Sequence, residues 1–229
     1  MSSNSSAQST SRRLLAEFIG TFLIVVTVAG AGHMVTRLGA DETVGLLTIG
    51  LAVGMVLYAA ITIFLPISGS HFNPAVTIVL GLRRLIDPVL GFWYIVVQVL
   101  GAISGALIAN LMFERAAIAP AVVERISEST FLGEVIATSG LVLIILLLVQ
   151  QQKTHLVAAS VGGWIAAGHI FTSSTSFANP AVTVGRSFTD AISGIHIGSV
   201  PGFVAAQLTG ALLALAIYFL LTTTKEKND

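Results

Sequence analysis

His71-Phe72-Asn73-Pro74-Ala75-Val76-Thr77 is a short loop-to-helix signal, and the chain writes it again as Phe177-Ala178-Asn179-Pro180-Ala181-Val182-Thr183. Proline takes the first helical position at no cost, because its missing N–H would be unpaired there and its fixed φ starts the turn. The asparagine before it is a helix N-cap, whose side-chain oxygen satisfies backbone N–H groups. Its amide NH2 is left over as a donor. Working outward, the flanks repeat as well: Ala16-Glu17-Phe18-Ile19-Gly20-Thr21 matches Gly133-Glu134-Val135-Ile136-Ala137-Thr138, and Gln98-Val99-Leu100-Gly101 matches Gln207-Leu208-Thr209-Gly210. Glu, Asn-Pro-Ala and Gln recur in the same order, separated by 56 and 25 residues in one half and by 45 and 28 in the other. The chain is an internal duplication.

Composition says where the two halves reside. Mean hydropathy is +0.92. Charged residues make up 10% of the 229, against about 25% in soluble domains. A formal net charge of zero gives no reason to expect a nucleic-acid partner. The absence of Cys excludes disulfides and thiol catalysis. Residues 1–11 are rich in Ser, Thr and Asn and read as a disordered tail, not a signal peptide.

Six apolar runs follow, at about 14–36, 44–66, 88–112, 131–151, 155–172 and 200–223, each near the roughly 20 residues that span a bilayer as a helix. The fifth is the shortest. Each Asn-Pro-Ala segment is only about 10 residues long and cannot cross. It must re-enter within protein, because exposed backbone groups in lipid cost several kcal/mol each. Three spans per half give the second half inverted topology. With both termini cytoplasmic, Arg12, Arg13, Arg83, Arg84, Lys153, Lys225 and Lys227 lie inside, and Arg37, Arg115, Arg125 and Arg186 outside, the sign the positive-inside rule requires. Inverted repeats put a shared site near the midplane, where short helices meet. Two asparagine donors and two helix N-termini, each carrying roughly half a positive charge, would face a passing neutral molecule there. Such a waist conducts; it holds nothing that breaks bonds.

With these residues in place, the chain resembles the aquaporin (major intrinsic protein) family over about residues 12–223. The resemblance implies an all-α membrane protein of six transmembrane helices plus two re-entrant half-helices in an inverted repeat. It also implies a pore in every protomer and a homotetramer in the lipid bilayer, in a bacterial inner membrane. The expected organisation is a cytoplasmic tail at 1–11, a first pore half at 12–113, an extracellular connection at 114–129, a second pore half at 130–223 and a cytoplasmic tail at 224–229. Counting from the two asparagines, the family's outer selectivity filter falls at Val53, at Ala167 or its neighbour Gly168, at Ser176 and at Val182. Here the chain departs from the family. Val182 stands where Arg is usual, and Val53 and Ala167 stand where water-selective members carry Phe and His. A wider, uncharged filter is expected. Arg186, four residues beyond Val182 and so on the same helix face, either reaches the vestibule with the missing charge or snorkels to the interface.

The other polar residues divide by depth. Glu17 and Glu134 lie inside spans, where charge is expensive, and read as structural acceptors bracing the re-entrant loops. Gln98 and Gln207 read as helix-packing polar groups. His71 is expected on the cytoplasmic side of the pore. His33 and His169 read as core histidines, and His155 and His196 as solvated loop residues. The five His are too dispersed for a metal site, and no cofactor is implied. The function so read is passive passage of small neutral solutes: water, glycerol, and metalloid hydroxides such as arsenite, which rank first because the Asn-Pro-Ala-Val context resembles arsenic-associated family members. The alternatives are a water and glycerol facilitator without a metalloid role, and a coupled secondary transporter. An enzyme is not expected.

Overall fold

The computed structural model describes residues 9–222. The expected N-terminal tail lies mostly outside that range, as do the C-terminal tail, Lys225 and Lys227. Helix α1 begins at Thr10, so the tail is shorter than composition suggested. The elements are α1 (Thr10–Arg37), α2 (Glu42–Ser68), α3 (Pro74–Leu82), α4 (Pro88–Met112), α5 (Glu128–Gln150), α6 (Val157–Phe171), α7 (Pro180–Gly185) and α8 (Val200–Thr222), with single 3-10 turns at Thr154–Leu156, Arg186–Phe188 and Ile197–Ser199.

α1, α2, α4, α5 and α8, with the turn before it, are long and apolar enough to cross a membrane. α6 has 15 residues, about 22 Å at 1.5 Å per residue, and the turn at Thr154–Leu156 lengthens it at one end. Chain chemistry sets the boundaries. Asp41 caps α2, Asp87 caps α4 ahead of Pro88, and Ser127 forms a capping box with Thr130 on α5.

The duplication is visible in the packing. α1 packs on α4 as α5 packs on α8, and α1 on α2 as α5 on α6. α2 meets α6 and α3 meets α7 across the centre, each element touching its own counterpart. Small residues make the central crossing tight. A Cβ on Gly54 of α2 would lie 2.9 Å from Gly162 O, and one on Gly162 of α6 would lie 2.6 Å from Gly54 O. Backbones therefore touch, as small residues permit in lipid.

The exterior differs from that of a soluble protein. Glu17, Gln98, Glu134 and Gln207 are fully buried, while Leu51, Met55, Ile63, Phe92, Leu213 and Leu220 are exposed on helix faces. Apolar side chains on the exterior, with the few polar groups paired inside, are the arrangement a lipid solvent selects.

Candidate conduction pathway

Two carboxylates build the centre. Glu17 Oε1 accepts from Ser68 Oγ at 2.6 Å and His71 N at 3.0 Å, and its Oε2 accepts from Phe72 N at 2.6 Å and Gln98 Nε2 at 2.8 Å. Glu134 repeats the pattern from Ser174 Oγ (2.7 Å), Phe177 N (2.9 Å), Ala178 N (2.8 Å) and Gln207 Nε2 (2.6 Å). Each carboxylate thus meets four donors and fixes the loop entering a half-helix. Gln98 and Gln207 also reach Thr77 and Thr183 of the half-helices, so these buried structural groups complete the brace.

The brace holds a costly backbone. Phe72 and Ala178, the residues before each asparagine, have φ of 48°, a left-handed conformation that residues other than glycine adopt rarely. That turn aims each carbonyl at the opposite loop. Asn179 Nδ2 donates to Phe72 O at 2.8 Å, and Asn73 Nδ2 donates to Ala178 O at 2.7 Å. Asn73 Oδ1 meanwhile accepts from Ala75 N, and Asn179 Oδ1 from Ala181 N and Val182 N, as N-caps do. Each amide spends one N–H across the centre, and its second remains. Pro74 and Pro180 open α3 and α7, with Ala75 and Ala181 buried behind them.

Both asparagines line a narrow cavity of about 100 Å³ that runs between the helices. Its walls are apolar stripes at four-residue spacing: Ile24 and Val28 on α1 answer Leu141 and Ile145 on α5, and Val53, Leu57, Ile61 and Leu65 on α2 answer Val157, Val161, Ile165 and His169 on α6. The polar lining comes from the asparagines, His71, His169, Ser176 and Arg186 together with the residues of the two loops. Among the described residues, the carbonyls of Gly69, Ser70, His71, Ser176 and Phe177 accept no hydrogen bond from the chain. His71 lines the cavity on the side of Leu80 and Thr154, its Nδ1 3.1 Å from Thr77 Oγ1.

At the other end, on the side of the α4–α5 connection, a wider vestibule of about 360 Å³ adjoins the cavity. His169 and Arg186 line both spaces and so stand where they join. Val53, Ser176 and Val182 line the narrow side of that junction.

Ala167 does not. It is exposed on the outer face of α6, and Gly168 packs behind Ser176, whose Oγ a Cβ there would meet at 2.6 Å. Counting back from Asn179 lands on the face of α6 turned away from the cavity. The cavity face of α6 instead ends at His169, which is 3% exposed, bonded through Nδ1 to Ile165 O, and without a partner at Nε2. The core reading of His169 is therefore corrected, whereas His33 is a core histidine, bridged to Asn110 and Thr189. The four-residue stripe through Val157, Val161 and Ile165 would have revealed His169. Ser68 and Ser174 were also missed, although each stands five residues before its asparagine. Arg186 is not at the lipid surface; it is 2% exposed. Among the described residues no three His, Asp or Glu side chains cluster as a metal site would need.

Comparison with known proteins gives a consistent picture. The profile of the family described as Major intrinsic protein matches residues 4–178. The aquaglyceroporin AqpS of Rhizobium meliloti (strain 1021) is 42% identical over 206 residues, covering 90% of this chain and 88% of that protein. Aquaporin AqpM of Methanothermobacter marburgensis is 32% identical over 246 residues, covering 94% and 99%. Among solved structures, the aquaglyceroporin from Plasmodium falciparum superposes with a TM-score of 0.78 at 22% identity, over 92% of this chain and 96% of that one.

Proposed function

Since the chain belongs to the major intrinsic protein family, we propose that its central cavity passes small uncharged solutes wide enough to include glycerol and arsenite, in either direction, down their gradients. The protein is a membrane channel and not an enzyme. The observation that carries the solute reading is the pairing of the two asparagine amides at the middle of a cavity walled by aliphatic side chains.

The mechanism follows from what the walls offer. A permeant sheds water on entering, and carbonyls of the two loops accept hydrogen bonds from its hydroxyls. At the waist, the free N–H of Asn73 and of Asn179 donates to its oxygen, while the opposite wall of Val and Leu offers nothing. A neutral polyol with hydroxyls along one edge and C–H groups along the other matches both walls. A cation meets amide donors and two helix N-termini, all of the wrong sign.

The outer junction sets the size limit. Val53, Ser176 and Val182 are small, and this supports passage of solutes larger than water. Similarity to a protein named aquaglyceroporin favours glycerol, and planar or pyramidal metalloid hydroxides are of comparable size and likewise uncharged. We further propose a homotetramer in a bacterial inner membrane with both termini in the cytoplasm; Arg12, Arg13, Arg83, Arg84 and Lys153 on one side of the spans support that orientation.

Stopped-flow light scattering on proteoliposomes tests the permeant. After hyperosmotic shock with glycerol or arsenite, vesicles are expected to shrink and then re-swell faster than protein-free controls. Shrinkage without re-swelling would restrict the protein to water.

A further inference from the structure

The position that would place an arginine in the filter carries Val182, yet the junction is not without a cation. Arg186 follows α7 directly, and its backbone N–H donates to Val182 O, so it sits one turn beyond Val182 on the same face. Its guanidinium is seated on two supports. Cζ lies 3.4 Å from the centroid of the Phe177 ring, and Nε donates to Ser193 O at 2.6 Å. Both supports are themselves fixed. Phe177 is tied by its N–H to Glu134 and by ring contact to Phe203, and Ser193 Oγ donates to Val28 O on α1.

Pinning the 192–194 loop does not require Arg186. Arg125 already donates through Nη2 to Ile192 O and through Nε to Gly194 O, each at 2.6 Å. Among the described residues Arg186 has no carboxylate partner, and its Nη1 and Nη2 make no hydrogen bond to the chain. An arginine left unpaired inside a membrane protein is tolerated where it faces a water-filled cavity, and Arg186 lines both the pore and the vestibule. Across that junction stands His169, whose Nε2 is likewise unspent.

We propose that Arg186, displaced one helical turn from the vacated position at Val182, is the selectivity-determining cation of this pore, and that with His169 it forms the polar wall of the outer constriction for neutral, oxygen-rich solutes. The displacement separates two tasks that one side chain would otherwise combine. Val182 leaves the narrow turn open to a larger solute, while Arg186 keeps a fixed positive charge at the mouth. This inference rests on the channel reading above, and the test keeps the two apart.

Wild-type protein, R186Q and R186K are reconstituted, and each is measured for glycerol-driven re-swelling and for sodium and proton leak with entrapped fluorescent indicators. Wild-type vesicles without solute flux would defeat the channel reading itself. With flux present, R186Q is expected to raise cation leak about tenfold, the scale on which one nearby fixed charge acts, and R186K to stay near wild type. Unchanged leak in R186Q, or equal leak in both variants, would overturn the proposal and leave Arg186 a structural pin. Should R186Q not fold, R186K still decides. A lysine gives up its proton at a lower pH than an arginine, so with rising pH the leak should rise in R186K beyond any rise in wild type, which carries the same Arg125, His169, Asp41 and Glu42 around the vestibule. Equal pH profiles would overturn the proposal.

Discussion

Replacing Glu17 or Glu134 by glutamine tests the braces with a change of one atom. Each carboxylate accepts four hydrogen bonds at 2.6–3.0 Å, two per oxygen. The amide of glutamine keeps one accepting oxygen and turns the other site into a donor. It loses least by presenting its NH2 where Ser68 or Ser174 donates, because a hydroxyl can rotate and accept. That choice still strands one backbone N–H, of His71 in the first half or Phe177 in the second. An orphaned buried donor costs about 1–3 kcal/mol, and losing charge assistance on the two remaining bonds adds about 1 kcal/mol or more. E17Q and E134Q should therefore each destabilise the protein by about 2–5 kcal/mol, and by similar amounts because the two braces match bond for bond. Reversible unfolding in mixed detergent micelles, followed by fluorescence of Trp93 and Trp164, reads both. A cost below about 1 kcal/mol at either site would mean these contacts are spectators. A large cost at one site alone would refute the equivalence of the halves.

Three further outcomes follow from the same geometry. N73D and N179D put a carboxylate at the waist and should admit cations; no cation current in planar bilayers from either would count against the amides as pore donors. G210V drives a branched side chain into Val135 O, 2.5 Å from an ideal Cβ, and should lower the yield of folded protein sharply in size-exclusion profiles, whereas a wild-type yield would mean that α5 and α8 can separate at little cost. Because the chain has no Cys, mercurials should leave glycerol flux unchanged; strong inhibition would place a mercury-sensitive group elsewhere in the pore.

Much of the fold could be read directly because lipid imposes a simple rule: apolar runs of sufficient length become spans, and short runs opened by Asn-Pro become half-helices. The repeat of Glu, Asn and Gln then located the braces before any contact was known. Details that depend on loop length were less accessible. A count through the segment between α6 and Asn179 points to Ala167, and a fixed count fails wherever that segment changes length; the i+4 stripe ending at His169 does not. The crossed bonds between Asn73 and Ala178 and between Asn179 and Phe72 required knowing that the two loops face each other and that both residues preceding the asparagines turn left-handed. The direction of Arg186 is set by Phe177 and by the Ser193 carbonyl, partners nine residues before and seven after it, which no helical periodicity encodes.

The central claim is a passive pore, and the most direct measurement is flux of labelled glycerol across proteoliposomes at set gradients. The account predicts equal rates inward and outward for equal gradients, no net movement once concentrations match, and no change on adding an uncoupler. Accumulation above the outside concentration that collapses with the uncoupler would contradict it and identify a coupled transporter.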